Sequence, residues 1–419
     1  MSKYYNAKNI KQVLDKYVLG QEQGTRAISM AVAMHLLNCR YAWTDTEKED
    51  IPANNILLVG PTGCGKTETF RALKKLEMDF GIPVMMYNTL DYGPTNTWRG
   101  AKGISSIFDD VILRAADIYY ARYGDDDEPE VQKEGIIKIA NRAIIILDEF
   151  DKIAFAAEDN STRQFLYEYQ SVLLKICEGN EYHIHDFTHI KSFAAVDPKD
   201  GHLMTKEVEQ DICNIHIDTT NMMFIFMGAF DGIEDITKAR LNLERNNGKL
   251  PKSYYQDTAL GFLAQPESSP TDDFTYEELI PSQEDIIDYG FMRELVGRIP
   301  IRTVYKPLGE EALTEILLNC QTSAYHNFRK QFRRMYHELQ CDHAALQEIS
   351  RIALQRGTGA RGLRNVFNEL LDQTMYDLSG EPPTVCFLRG QDIKAHRPPL
   401  LRRKERMKAL GLTEIKLKP

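Results

Sequence analysis

Apolar residues along the chain fall into two regimes. In the first 300 positions, short unbroken apolar runs alternate with longer stretches of helical spacing. Residues 8–40 predict helix, broken near Gly20, and strands are predicted at 56–59, 84–87, 143–147 and 222–227 with helices between them. Continuous apolar strands alternating with helices predict a parallel sheet covered on both faces, an α/β fold. After about residue 305 the period becomes helical. Leu313, Ile316, Leu317 and Cys320 share one helical face, as do Leu363, Val366, Phe367, Leu370 and Leu371. A short strand at 384–388 follows a Pro-Pro pair, so the second regime reads as a smaller, mostly helical domain closed by strand. The expected domains are 1–304, 305–395 and a tail, 396–419.

Three stretches interrupt the pattern. GDDDEPE (124–130) reads as an acidic loop, most simply a solvated insertion. Residues 180–220 are polar and weakly periodic, with His183, His185, His189 and His202. They read as a long excursion between two core strands, and 247–283 form another, rich in Pro, Ser and acids. The histidines at 183 and 185 have the spacing of a metal pair, although an ordinary polar loop explains them better. The tail carries six basic residues between 397 and 408, either a solvated terminal face or a helix for anionic partners.

Composition narrows the class. The chain has 419 residues, 43% hydrophobic and 27% charged, which is ordinary for a soluble globular protein long enough for two or three domains. A net charge of −10 argues against a nucleic-acid track. No apolar run approaches the roughly 18–20 residues of a membrane helix, and the polar N-terminus lacks a signal-peptide core. The seven cysteines (Cys39, Cys64, Cys177, Cys213, Cys320, Cys341, Cys386) are scattered, with no CxxC pair. They disfavour a disulfide framework or structural zinc and fit a reducing cytoplasm.

The strongest chemical signal is GPTGCGKT, Gly60, Pro61, Thr62, Gly63, Cys64, Gly65, Lys66 and Thr67, directly after the apolar run NNILLV. It matches the GxxxxGK[ST] phosphate loop in full. Glycines let backbone amides turn inward around phosphate oxygens, and the following helix adds its positive N-terminus. Lys66 would reach the terminal phosphates of ATP, and the Thr67 hydroxyl would bind Mg2+. About 80 residues further on, RAIIILDEFDK ends an apolar run in Asp148-Glu149. A strand there delivers two carboxylates to the edge of an open α/β sheet where ligands bind. Asp148 would hold the magnesium, and Glu149 would act as general base on the attacking water. Phosphoryl transfer also needs further positive charge. Arg298, in ELVGRIP, and Arg361, in GTGARGLR, are the candidates.

These residues resemble the ClpX family of ring-forming AAA+ protein unfoldases. The matching stretches are DKYVLGQEQ (15–23), NNILLVGPTGCGKTE (54–68), AIIILDEFDKIA (143–154), QSVLLKICEG (170–179), MMFIFMGAFDGI (222–233), GFMRELVGRIP (290–300) and TGARGLRNVFNELLDQTMYDL (358–378), in family order over almost the whole chain. The resemblance implies a large α/β nucleotide domain and a small lid domain, and an ATPase of the Clp/Hsp100 type. It implies a homo-hexamer that threads unfolded or tagged proteins through its pore into a ClpP-type peptidase. The alternative it leaves is a non-proteolytic remodelling chaperone; neither nucleic acid nor membrane is an expected partner. Val18 and Leu19 match the segment that packs on adenine. Arg298 matches the arginine finger that reaches the neighbouring subunit's nucleotide, and Arg361 the sensor-2 arginine acting from the lid. Met227 and Gly228 fall where many AAA+ proteins carry a polar sensor-1 residue, so none is assigned. Trp98, Arg99 and Gly100, in NTWRG, occupy the place of the aromatic–hydrophobic–glycine pore loop that grips substrate. Read without the family, NTWRG favours a packing anchor for Trp98. Leu260, Gly261 and Phe262 match the tripeptide that docks on the peptidase. Departures from the family pattern are expected in three places. The N-terminal zinc-binding domain is not represented, no basic pore-entrance loop is recognisable, and Arg99 replaces an apolar residue.

Overall fold

The computed structural model describes residues 6–41, 54–94, 102–125, 127–155, 160–184, 187–196, 203–212, 215–245, 274–276, 278–320 and 322–403. They form two compact units. One comprises Met1–Ile10, Arg26–Val59 and Leu73–Val304; the other Lys11–Thr25, Gly60–Ala72 and Tyr305–Pro419.

The first unit is built on a parallel sheet of five strands, β1 (Ile56–Val59), β2 (Val84–Asn88), β3 (Ile144–Asp148), β4 (Met223–Gly228) and β5 (Ile301–Val304), in the order β5-β1-β4-β3-β2. Every residue of β1 and β4 is buried, as expected for strands covered on both faces. The register pairs Ile56 with both Ile225 and Ile301, and Met223 with Ile144. Asn55, fully buried ahead of β1, accepts from the Phe224 amide (2.9 Å) and donates to the Arg298 carbonyl (3.0 Å). Helices Ile107–Tyr123 and Asn160–Glu178 supply much of the core. There Phe150 packs on Phe226 and Phe291, with ring centroids 4.4 and 4.7 Å away.

Four predicted strands are present with ends shifted by at most one residue. The fifth, β5, is a finding of the structure. Its sequence IRTV is too short and mixed to signal itself, and it forms because β1 offers an open edge for pairing. The 180–220 stretch also differs from a plain polar excursion: Glu181–Ile184 pairs antiparallel with Ile215–Asp218, and Phe187–Val196 with Leu203–Ile212. The alternation of buried Ile215 and Ile217 around exposed His216 carried that signal in four residues. The acidic 124–130 stretch is mostly a link between helices Ile107–Tyr123 and Pro129–Ala140.

The second unit packs helices Glu310–Asn319, Ala324–Arg334, His343–Gln355 and Gly359–Asp377 with a sheet of β6 (Glu338–Cys341), β7 (Thr384–Leu388) and β8 (Leu400–Arg403). Leu313, Leu317, Val366, Phe367 and Leu371 all lie in its core, as the helical period predicts. Asp342 accepts from the amides of Ala345 (2.7 Å) and Gly390 (3.0 Å), capping one helix and fixing the start of another. Part of the expected tail is sheet, since β8 pairs antiparallel with β7. Among the described residues no helix is long and apolar enough to cross a membrane.

Candidate functional site

The glycine-rich loop leaves the carboxyl end of β1 and runs into the helix Lys66–Phe80. Gly63 (φ +81°) and Gly65 (φ +109°) hold left-handed conformations that turn the chain at little steric cost. A Cβ on Gly60 would lie 2.8 Å from the Tyr305 carbonyl oxygen, and one on Gly63 would lie 2.9 Å from that of Thr358. The glycines are therefore demanded both by conformation and by space. The Lys66 ammonium donates to the Gly60 carbonyl and to that of Pro61 (3.0 Å), so its charge lies over the loop. Thr67 is half-buried in the first helical turn and Thr62 is exposed. Burial pushes the Cys64 thiol up, against the opposing pull of the Lys66 and Arg361 cations.

Val18 is buried, with Cγ1 3.4 Å from where a Cβ on Gly65 would sit; Leu19 beside it is half-buried. Arg361 lies in the first turn of Gly359–Asp377, and the Ala360 amide donates to the Gly63 carbonyl (3.4 Å). Val18, Leu19, Gly60–Thr67 and Arg361 thus belong to one compact unit.

Asp148 and Glu149 stand at the carboxyl end of β3, in the other unit, where β1 ends on the same sheet edge. The Glu149 amide donates to Asp148 Oδ1 (2.9 Å), and Glu149 itself has φ +57°, a left-handed backbone rare for a residue with a side chain. Behind them, the Thr89 hydroxyl donates to the Asp148 carbonyl (2.7 Å), and the Tyr169 hydroxyl to that of Thr89 (2.8 Å). Asp151, buried two residues beyond Glu149, accepts from the Ala229 amide (3.2 Å), and its Oδ2 lies 2.8 Å from the Lys152 ammonium. Arg298 is half-exposed in the same unit and donates to Glu178 (2.7 Å).

Sequence reasoning missed Gln21, Thr89, Asp151 and Tyr305. Their roles come from long-range hydrogen bonds that no local period announces, although Gln21 and Asp151 lie inside stretches that carry the family resemblance. Trp98, Arg99, Gly100, Leu260, Gly261, Phe262 and His185 lie outside the described residues. His183 faces His216 across the strand pair, with ring centroids 3.8 Å apart. Among the described residues no group of three or more His, Cys, Asp or Glu could hold a metal ion. For a nucleotide with Mg2+ the residues fit. The loop has a lysine over a glycine-rich turn, as phosphates require, and Thr67 in one unit and Asp148 in the other are each an oxygen donor of the hard kind that magnesium takes.

Residues 51–302 match the family model described as AAA domain (Cdc48 subfamily). The chain is similar to the ATP-dependent Clp protease ATP-binding subunit ClpX of Treponema denticola, 30% identical over 373 residues, 88% of this chain and 76% of that protein. It is equally similar to the protein of the same name from Borrelia duttonii, 30% identical over 88% of this chain and 74% of that protein.

Proposed function

The chain belongs to the ClpX family of AAA ATPases, and on that premise we propose that it unfolds and threads proteins through a hexameric ring into a ClpP-type peptidase. It is an ATPase of the Clp chaperone type. In this reading Gly60–Thr67 cradles the phosphates of ATP, with Lys66 on the terminal groups. Val18 and Leu19 pack on adenine. Thr67 and Asp148 hold the Mg2+, which when bound neutralises phosphate charge. Glu149 takes the proton of the attacking water. Arg361 stabilises phosphate charge from the lid, residues 305–395, and Arg298 does so for the next subunit's nucleotide. Trp98, Arg99 and Gly100 grip the polypeptide, and Leu260, Gly261 and Phe262 dock the peptidase. A cytoplasmic location fits the six buried free thiols among the described residues.

The observation that carries the nucleotide reading is the start of the Arg361 helix against the phosphate loop, with the Ala360 amide on the Gly63 carbonyl and Val18 beside Gly65. It collects an adenine-side residue, a phosphate cradle and a cation in one unit. For the pore loop, the pairing of Tyr92 with Lys102 and Gly93 with Gly103 is supporting: it brings together the two ends of the segment that holds Trp98.

The test is ATP-dependent degradation of a folded fluorescent reporter with a ClpP-type peptidase, comparing wild type with Leu260→Ala, Phe262→Ala and Trp98→Ala. The expected result is degradation by wild type alone, with ATP hydrolysis largely retained in all three variants. Reporter unfolding without peptidase binding would instead assign the chain to remodelling chaperones that do not feed a protease.

A further inference from the structure

We infer that Gln21 sets the conformation of the phosphate loop and is a positioning residue for nucleotide binding. This rests on reading Gly60–Thr67 as the phosphate site. Gln21 is 4% exposed, and both its amide N–H groups and its amide oxygen are hydrogen-bonded. Nε2 donates to the carbonyls of Cys64 (3.1 Å) and Lys306 (2.8 Å), and Oε1 accepts from the Lys306 amide (2.9 Å). The orientation is fixed by its partners: with the two ends exchanged, an NH2 would face the Lys306 N–H and an oxygen would face two carbonyls.

The bond to Cys64 reaches the middle of the loop. In a trans peptide the carbonyl of one residue and the N–H of the next point in opposite directions. Holding the Cys64 carbonyl on Gln21 therefore aims the Gly65 N–H the other way. Released, the same peptide can rotate, and Gly65, with φ +109°, offers little steric resistance. A loop that binds phosphate through its amides would then turn a carbonyl dipole toward negative charge. The neighbouring residue reinforces the anchor. Tyr305 is fully buried, its carbonyl oxygen closes the space beside Gly60, and its hydroxyl lies 2.7 Å from that of Thr69. Residues 305–306 thus brace the two ends of the loop, and Gln21 ties its middle to the same brace.

The experiment uses the full chain. Binding of a fluorescent ATP analogue, KM and kcat for ATP, and alkylation of individual cysteines by mass spectrometry are measured for wild type, Gln21→Met, Gln21→Glu and Lys66→Ala. Gln21→Met keeps the shape and removes all three bonds. Gln21→Glu can still accept from Lys306 but sets a carboxylate against two carbonyls. Both should raise Kd and KM about tenfold, the cost of one buried hydrogen bond. kcat should change far less, and the Glu variant should be the weaker binder. Cys64 should alkylate faster in both, while Cys341, buried in the small sheet, keeps its wild-type rate. A wild-type KM in folded variants overturns the inference. So does equal acceleration at Cys64 and Cys341, which marks general loosening. If Gln21→Met leaves no folded protein, Gln21→Asn replaces it, since it keeps the amide without its reach; the same rise is expected and a wild-type KM again overturns the inference. Wild-type binding by Lys66→Ala would instead overturn the phosphate-loop reading itself.

Discussion

Gly228 and Asp151 leave no room for a methyl group between them: a Cβ on Gly228 would lie 2.5 Å from Asp151 Oδ1. The same oxygen accepts from the Ala229 amide (3.2 Å), so a carboxylate just beyond β3 holds the carboxyl end of neighbouring β4. This gives a steric reason for the missing polar residue at the end of that strand. Position 228 is closed to side chains by a buried acid supplied from the adjacent strand.

Gly228→Ala should therefore lower stability by about 1–3 kcal/mol, the cost of forcing an extra methyl into a packed site. The Phe230 ring, 2.8 Å from the same Cβ position, blocks the alternative direction of relief. A urea-unfolding midpoint equal to wild type would contradict this.

Glu149 combines a strained backbone with the proposed base. Its left-handed φ costs about 1 kcal/mol in a residue with a Cβ. Glu149→Gln keeps backbone and shape and removes only the proton acceptor. ATP binding should stay within about twofold of wild type while turnover falls roughly 10²–10⁴-fold, the range for a lost general base. Steady-state hydrolysis and analogue titration on one preparation check both halves. Near-normal turnover would remove Glu149 from the role.

Sheet strands and helical faces were legible in the sequence because burial writes a period into it. Buried β1 and β4 are uninterrupted apolar runs, and Leu313, Leu317, Val366 and Phe367 repeat at helical spacing. The turn at Gly60–Thr67 was legible because its glycines stand where the chain takes left-handed φ or leaves no room for a Cβ. The edge strand β5 and the paired strands Phe187–Val196 and Leu203–Ile212 were not legible, since main-chain pairing holds them and leaves little trace in side-chain pattern. Gln21, Thr89 and Asp151 were not legible for a related reason. Each bonds to main-chain atoms remote in sequence, and a carbonyl or amide looks the same whatever residue carries it.

Arg298 separates a stability role from a catalytic one. Its bond to Glu178 joins two side chains that are about half exposed, and such pairs contribute about 0.2–1 kcal/mol. Arg298→Ala should leave the unfolding midpoint almost unchanged, yet lower ATP turnover by about 10³-fold or more if it is a finger. Mixing Arg298→Ala with Glu149→Gln subunits distinguishes action on a neighbour from action within a chain. If the subunits form the proposed ring, mixed rings would contain sites with an intact base on one subunit and an intact arginine on the next, so the mixture should hydrolyse faster than either variant alone. No gain on mixing confines Arg298 to its own subunit.

His35 makes stability fall on mild acidification. It is 4% exposed, and its Nε2 lies 2.9 Å from the Arg142 carbonyl. Burial, helped by the nearby Arg142 cation and partly opposed by the bond to its carbonyl, lowers the imidazole from its ordinary 6.5 to about 4. Above pH 6.5 the ring is neutral in both folded and unfolded chains, and the full contribution is present. Below 6.5 the unfolded chain takes up a proton that the folded chain refuses, so stability is lost as pH falls, until the folded ring titrates near 4. Between pH 7.5 and 5 this amounts to about 2 kcal/mol. His35→Gln keeps a donor for the Arg142 carbonyl and cannot titrate. Urea unfolding at pH 7.5 and 5.0 should therefore show wild type losing about 2 kcal/mol more than the variant. Carboxylates common to both proteins cancel in that difference. Equal losses would mean that the ring is not held neutral in the fold.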